Sequence, residues 1–379
     1  MIYLDNSATT QIDKEVVESM LPWLYEEYGN PSSIYSLGRK ARVAIENART
    51  EIAHALHAHP AEIIFTSGGT ESNNTVLKSC IHESKLVKAL AISSIEHHAI
   101  IHPAEILSKQ GIQVQYIHVN QDGLIPTDEL KNYQLDNTLI SIMHANNETG
   151  SIQPIKAIKD LLPSSALLHS DAVQSFGKIP VLVDELGIDF LTISAHKIHG
   201  PKGIGALFIK KGIDFKAHQQ GGGQERNRRA GTESPALIVG FQTAVRIAIN
   251  QLEKNAEHMY SLKQFLINNI ISLIPDIHIN GPINTQTSLP SIVNISFPNR
   301  PNIDGESLLQ MMDIQDIAVS NGSACVSGSQ QPSHVLSAMG RSQKEAKAAI
   351  RFSFSKYTTE AEILKAIHTL KDILDSFES

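Results

Sequence analysis

The chain has 379 residues, 41% hydrophobic and 19% charged, with a formal charge of −7. That length exceeds what one core ordinarily supports, so two domains are expected. The acidic balance argues against direct nucleic-acid binding, and no apolar run approaches the ~20 residues that span a bilayer.

In chain order, Met1-Ile2-Tyr3-Leu4-Asp5-Asn6 carries neither the basic nor the apolar segment of a secretory signal, which makes the cytoplasm the expected compartment. A helical pattern over 41–57 follows, then a short apolar strand, Glu62 to Thr66, and a second helical pattern after Thr70. In that helix the pairs Val76/Cys80 and Leu77/Ile81 make one apolar face, so Cys80 reads as a packed, inert thiol. Further strands are expected at Ala89 to Ser93, Val114 to His118, Thr138 to Met143, Ala166 to Ser170, Phe190 to Ser194 and Gly205 to Ile209. Most are continuous apolar runs of five or six residues, the mark of a mainly parallel seven-stranded sheet covered by helices on both faces. The fold class is therefore α/β. From about Leu252 the pattern changes to a helix, a strand near Ile292 to Phe297, a loop around Cys325 and further helices, a smaller α+β unit. The last helix, Thr359 to Phe377, opens in capping-box register with Thr359 and Glu362. With two residues left after it, no C-terminal tail is expected.

Three segments follow apolar runs and should meet at the carboxyl ends of the strands, where open α/β sheets bind ligands. Ser67-Gly68-Gly69-Thr70 offers free backbone N–H groups at a helix start, suited to a phosphate, although the same residues also make an ordinary turn and cap. Asp171, in His169-Ser170-Asp171-Ala172-Val173-Gln174, closes a buried strand, where its charge needs a match. A protonated pyridine nitrogen would supply one, with Gln174 near the ring hydroxyl, and so would nearby backbone N–H groups. Lys197 lies just past a strand in Ser194-Ala195-His196-Lys197-Ile198-His199-Gly200, as an amine forming a Schiff base would, or as any lysine in a turn. Together the three describe a site for pyridoxal 5'-phosphate (PLP). His54, His57 and His59, and also His98 and His102, have spacings open to metal ligation, yet a solvated helix face explains the first set, and no metal is expected.

These segments occur in a fixed order with Tyr3-Leu4-Asp5-Asn6-Ser7-Ala8-Thr9-Thr10, Gly29-Asn30-Pro31-Ser32-Ser33, Glu96-His97, His144 to Gly150, Gly221 to Thr232, Gly322-Ser323-Ala324-Cys325 and Ile350-Arg351-Phe352-Ser353. In this the chain resembles, nearly end to end, a cysteine desulfurase of the NifS/IscS group, within the class V aminotransferase-like, fold-type I PLP enzymes. The resemblance implies that Lys197 carries the cofactor and moves the substrate's α-proton, that Asp171 pairs with the ring nitrogen, and that His97 stacks on the ring as acid or base. It implies that Gln174 and Asn147 contact the ring hydroxyl region and that Gly69, Thr70, Ser194 and His196 hold the phosphate. Thr232 would reach the phosphate of a neighbouring subunit, which implies a homodimer with shared active sites. Arg351 would clamp the substrate carboxylate, helped by Asn30. The expected division is 14–251 for the large domain, with 1–13 and 252–379 forming the small one.

Cys325 sits among small and polar residues in a segment, about 321–333, with little to pack, which reads as a mobile loop. Its thiolate would attack the sulfur of PLP-bound L-cysteine, leaving L-alanine and a persulfide on Cys325 for a sulfur acceptor. The acceptor would be an iron–sulfur scaffold or a tRNA thiolase, the short C-terminus making the latter a fair rival. Asn227, where many relatives have glycine, and Val326, where Thr or Ser is common, bear on loop conformation only. A transaminase or a selenocysteine lyase of the same class is the alternative, and neither needs a loop thiol. A catalytically idle PLP-fold subunit is a further rival, opposed by the presence of Lys197, Asp171 and Cys325.

Overall fold

The computed structural model describes residues 1–300, 303–322 and 332–377. A two-residue strand, β1 (Ile2–Tyr3), precedes seven strands: β2 (Ile63–Thr66), β3 (Ala89–Ser93), β4 (Gln113–Ile117), β5 (Thr138–Ser141), β6 (Leu167–Asp171), β7 (Phe190–Ser194) and β8 (Gly205–Ile209). These seven form one sheet in the order β2-β8-β7-β6-β5-β3-β4. Only the β8 pairings, with β7 and β2, are antiparallel. Six of the seven runs lie within a residue of their expected bounds at both ends, while β5 stops two residues before Met143.

Period-two alternation sends successive side chains to opposite faces, which gives the sheet two cores. On one face Phe65, Ala91, Ile140, Leu191, Ala206 and Phe208 pack with Ile45, Ile52, Ile238 and Phe241 from covering helices. On the other, Ile64, Leu90, Leu139, Phe190 and Leu207 pack with Val76, Leu77 and Cys80 and with Ile100 and Leu107. Continuous apolar runs are therefore what this sheet requires. Edge strand β4 instead leaves every position but Ile117 exposed or partly exposed.

The helices before the site are α1 (Lys14–Tyr25), α2 (Ser36–Ala55), α3 (Gly69–Lys78) and α4 (His98–Lys109). The sequence pattern did not disclose α1, and α2 starts five residues before Ala41. Gly38, a helix-disfavouring residue, sits in that first turn because a Cβ there would come within 2.5 Å of the Ser33 carbonyl oxygen. Leu56 ends α2, and His57 takes a positive φ of 55°. Cys80 is fully buried in a π-helical turn after α3, and burial pushes its thiol pKa well up, as befits an inert thiol.

A second core surrounds the antiparallel sheet β12-β10-β9, made of β9 (His278–Asn280), β10 (Ile292–Ser296) and β12 (Ile350–Ser353), with β11 (Ile317–Ala318) pairing β1 beside it. Helices Leu252–Leu273 and Glu360–Ser376 cover it through Leu262, Leu266, Ile270, Ile363, Ile367 and Leu370. The last helix keeps its expected capping box, with Thr359 Oγ1 accepting from Glu362 N at 3.3 Å and Glu362 Oε2 accepting from Thr359 N at 2.8 Å. Between the two sheets runs the N-terminal strand-and-turn segment, tied to the large sheet by Thr10 N donating to His196 O and Asp13 N to His199 O, both at 3.0 Å. This crossing places Ser7 and Ala8 against the ends of β6 and β7.

Candidate active site

The carboxyl ends of β2, β6 and β7 open on one cavity of about 320 Å³, within the range of small-molecule sites. Gly69, Thr70, His97, Asn147, Asp171, Gln174, Ser194, His196, Lys197 and Arg351 all line it. Ten of the residues singled out from sequence are thus brought together. Asn30 and Thr232 are exposed and do not line it. Cys325 lies outside the described residues.

At the end of β6, Asp171 is 6% exposed, yet both its oxygens are held. Oδ1 accepts from Val173 N at 2.9 Å and Oδ2 from Asn73 Nδ2 at 2.6 Å. Burial raises its pKa, and Asn73, Val173 N and the Lys197 charge work against that rise. A cationic ring nitrogen would offset the same burial, so the site fits a pyridinium. Asn73 is itself buried at 1%, and was not singled out from sequence. One signal was available: it shares the face of α3 that carries Val76, Leu77 and Cys80, where a polar side chain needs a partner.

The phosphate cup is a separate pocket wall of Ser67, Gly68, Gly69, Thr70, Ser194 and His196 at the N-terminus of α3. Gly68 has φ +144°, open to glycine but rarely to other residues. Ser194 Oγ is buried without a hydrogen-bond partner among the described residues, a donor the structure leaves for a ligand oxygen. His196 Nδ1 lies 3.2 Å from Thr9 Oγ1, and burial and then Lys197 lower its pKa to about 4. A dianion can therefore meet backbone N–H groups, a hydroxyl and a helix terminus here.

Lys197 ends the single turn Ala195–Lys197 that follows β7. Its Nζ donates to the carbonyls of Ser7 and Ala8, the latter at 2.8 Å. Gln174 Nε2 donates to the same Ser7 oxygen at 2.9 Å. His97 caps α4, its Nδ1 accepting from Ala99 N at 3.0 Å, which leaves the proton of a neutral ring on Nε2. Burial and then Lys197 lower its pKa to about 4, so the ring is neutral at physiological pH.

On the opposite wall Arg351 is 1% exposed on β12. Nη1 donates to Asn147 O at 2.8 Å and Nη2 to Asp5 Oδ1 at 2.5 Å. The Nε atom has no partner among the described residues, which suits a guanidinium still able to take an anion. Glu148, also lining the cavity, is 2% exposed and accepts from Ser333 Oγ at 2.6 Å. Burial pushes its carboxyl up to about 7, against the opposing effects of Ser333 and Arg351. Like Asn73, it lay inside a quoted motif without a role. Among the described residues no three His, Cys, Asp or Glu side chains are grouped to hold a metal. No helix among them is long and apolar enough to cross a membrane.

This arrangement of phosphate cup, buried carboxylate and amine defines a cofactor-dependent transferase site on an α/β sheet, and the chain belongs to the family Aminotransferase class-V, which it matches over residues 2–365. It is 44% identical to a protein named cysteine desulfurase IscS from Dictyoglomus turgidum, covering 100% of this chain and 95% of the relative. It is 42% identical to another protein of that name from Clostridium botulinum, covering 98% and 94%. A solved structure named NifS-like protein superposes with a TM-score of 0.91 at 38% identity, covering 99% of both chains. One titled SspA in complex with cysteine gives 0.81 at 34%, covering 95% and 100%.

Proposed function

We propose that this chain is a PLP-dependent cysteine desulfurase that converts L-cysteine to L-alanine and leaves the sulfur as a persulfide on Cys325. The observation that carries the reading is the convergence of Lys197, Asp171 and Arg351 on one cavity. Lys197 Nζ would hold the cofactor through its aldehyde and would carry the proton of the substrate's α-carbon. Asp171 would hold the ring nitrogen, Gln174 and Asn147 the ring hydroxyl, and His97 the face of the ring. Gly69, Thr70, Ser194 and His196 hold the phosphate. When bound, the cofactor acts as an electron sink for the substrate's α-carbon. Arg351 takes the substrate carboxylate, with Asn30 assisting. The Cys325 thiolate forms a bond to the substrate sulfur as the carbon–sulfur bond breaks; the electron pair stays on carbon, which takes up a proton to become the methyl of alanine.

The enzyme works as a homodimer in which Thr232 serves the neighbouring subunit's phosphate. Support comes from an exposed apolar surface on and after α1, where Leu24, Tyr25, Tyr28 and Ile34 are 60%, 64%, 74% and 89% exposed. Beside Thr232, both carboxylate oxygens of buried Glu233 lack a partner among the described residues. The enzyme acts in the cytoplasm, a reading supported by the reactive thiol on Cys325, which a reducing compartment preserves. The acceptor of the sulfur is a protein, an iron–sulfur scaffold or a tRNA thiolase.

Cys325→Ser and Lys197→Ala test the reading together. Cys325→Ser keeps visible absorbance with PLP and binds cysteine but forms no persulfide, while Lys197→Ala loses that absorbance. Undiminished sulfide release by Cys325→Ser refutes the desulfurase mechanism. Supplied with labelled cysteine and candidate acceptors, the wild type transfers label to the acceptor.

A further inference from the structure

Beneath the cavity a second lysine is buried. Lys178 is 6% exposed, four residues beyond Gln174, and its Nζ donates to Gln174 Oε1 at 3.2 Å. The other end of that amide, Nε2, donates to Ser7 O, the carbonyl that also accepts from Lys197 Nζ. Lys178 is therefore joined to Lys197 through one side-chain amide and one backbone oxygen. It also lines, with Lys197, His199 and Lys356, a small cavity behind the lysine turn.

We propose that Lys178 is a positioning residue of the cofactor site, fixing the Gln174 amide so that Nε2, a donor, and never Oε1, faces the ring oxygen of the bound cofactor. This rests on the PLP reading above. An amide presents a donor or an acceptor according to a half-turn about its last bond. A turned Gln174 would aim its NH₂ at the Lys178 ammonium and its oxygen at Ser7 O, two unfavourable contacts. Lys178 supplies the first of these penalties and Ser7 the second. Burying an amine for a single acceptor is costly, and Lys197 and Arg351 add like charge, so the pKa of Lys178 falls to about 7. A burial this costly is explained by a role at the site. The charged and titratable groups around it are Lys197, Arg351, His196, His199 and Lys356, with Asp13 the facing anion through His199 and Lys356.

The test uses the PLP-loaded enzyme and the pH midpoint of its visible absorbance. A donor to an ionised ring oxygen favours the deprotonated form. Lys178→Met should therefore raise the midpoint by about half to one pH unit while the visible band persists. Gln174→Leu should raise it too, and Lys178→Met added to Gln174→Leu should raise it little further, because both act through one amide. Lys178→Arg, which keeps a donor, should stay near wild type. An unmoved midpoint in Lys178→Met overturns the proposal, and so do additive shifts. If Lys178→Met does not fold, an unmoved midpoint in Gln174→Leu, or a raised one in Lys178→Arg, overturns it. Absence of a visible band in the wild type overturns the PLP reading instead.

Discussion

Replacing Asn73 with leucine isolates the hydrogen bond that favours the ionised form of Asp171. Asn73 Nδ2 is 2.6 Å from Asp171 Oδ2, both residues are buried, and Asn73 Oδ1 has no partner among the described residues, so the apolar side chain removes one donor and one unpartnered acceptor. Hydrogen bonds to charged groups contribute roughly 1.5–3 kcal/mol, which corresponds to about 10- to 150-fold in an equilibrium constant. The sign follows from the balance at Asp171, where burial raises the pKa and Asn73 heads the effects that lower it. Without Asn73 the pKa rises further, and a protonated carboxyl must lose its proton before it can hold a cationic ring nitrogen. The loss of PLP affinity is therefore largest at low pH and shrinks as pH rises. Titrating apoprotein with PLP by visible absorbance should show affinity weakened about 10- to 150-fold at pH 6 and by less at pH 8, with the circular dichroism of wild type retained. Equal affinities at both pH values, within twofold, would refute the role given to Asn73.

Glu148→Gln should stabilise the apoprotein in a pH-dependent way. A buried carboxyl whose pKa is raised from 4.5 to about 7 imposes no penalty below pH 4.5, and a penalty that grows through that window to about 3 kcal/mol above it. Urea unfolding should thus show the variant's advantage widening from pH 5 to pH 8; a constant difference contradicts this. Arg49→Met should cost about 3–5 kcal/mol, because it strands Glu225, bound to Arg49 Nη1 at 2.7 Å and Nη2 at 2.9 Å with the two side chains 2% and 1% exposed. Adding Glu225→Leu should recover most of that loss in denaturant melts, and failure to recover any argues against a stranded charge. Arg351→Lys keeps the charge but loses the fork, and should lower kcat/KM for cysteine about 10- to 100-fold with cofactor absorbance unchanged. An unaltered kcat/KM removes Arg351 from substrate binding.

The parts of this molecule that sequence disclosed are those where one physical demand acts alone. A strand buried on both faces, such as β7 or β8, has to be apolar at every position, so Phe190–Ser194 and Gly205–Ile209 are visible without any partner. Helix α1 answers to two demands. It buries Val16 beside the helix Pro235–Asn250 while leaving Leu21, Leu24 and Tyr25 exposed, so its apolar residues follow no single stripe and its periodicity is blurred. The same division holds in the site. Lys197 and Asp171 are legible because each sets a charge at the end of an apolar strand, whereas Arg351 is carried by the family resemblance alone. Asn73, Glu148 and Lys178 also sit where a polar side chain is costly, yet what each one does depends on the residue opposite: Asp171 at 98 positions' remove, Ser333 at 185, Gln174 at 4. Only the last pair is local, and even there the spacing matches an ordinary helical contact. The amide acquires its meaning from Ser7, carried in by the N-terminal segment that threads between the two sheets. That crossing also couples the sheets energetically, since Ser7 O ties Lys197 and Gln174 to a segment whose Asn6 donates to Ser353 O of β12 at 2.9 Å. A continuous hydrogen-bonded path thus links β12, which carries Arg351, to Lys197.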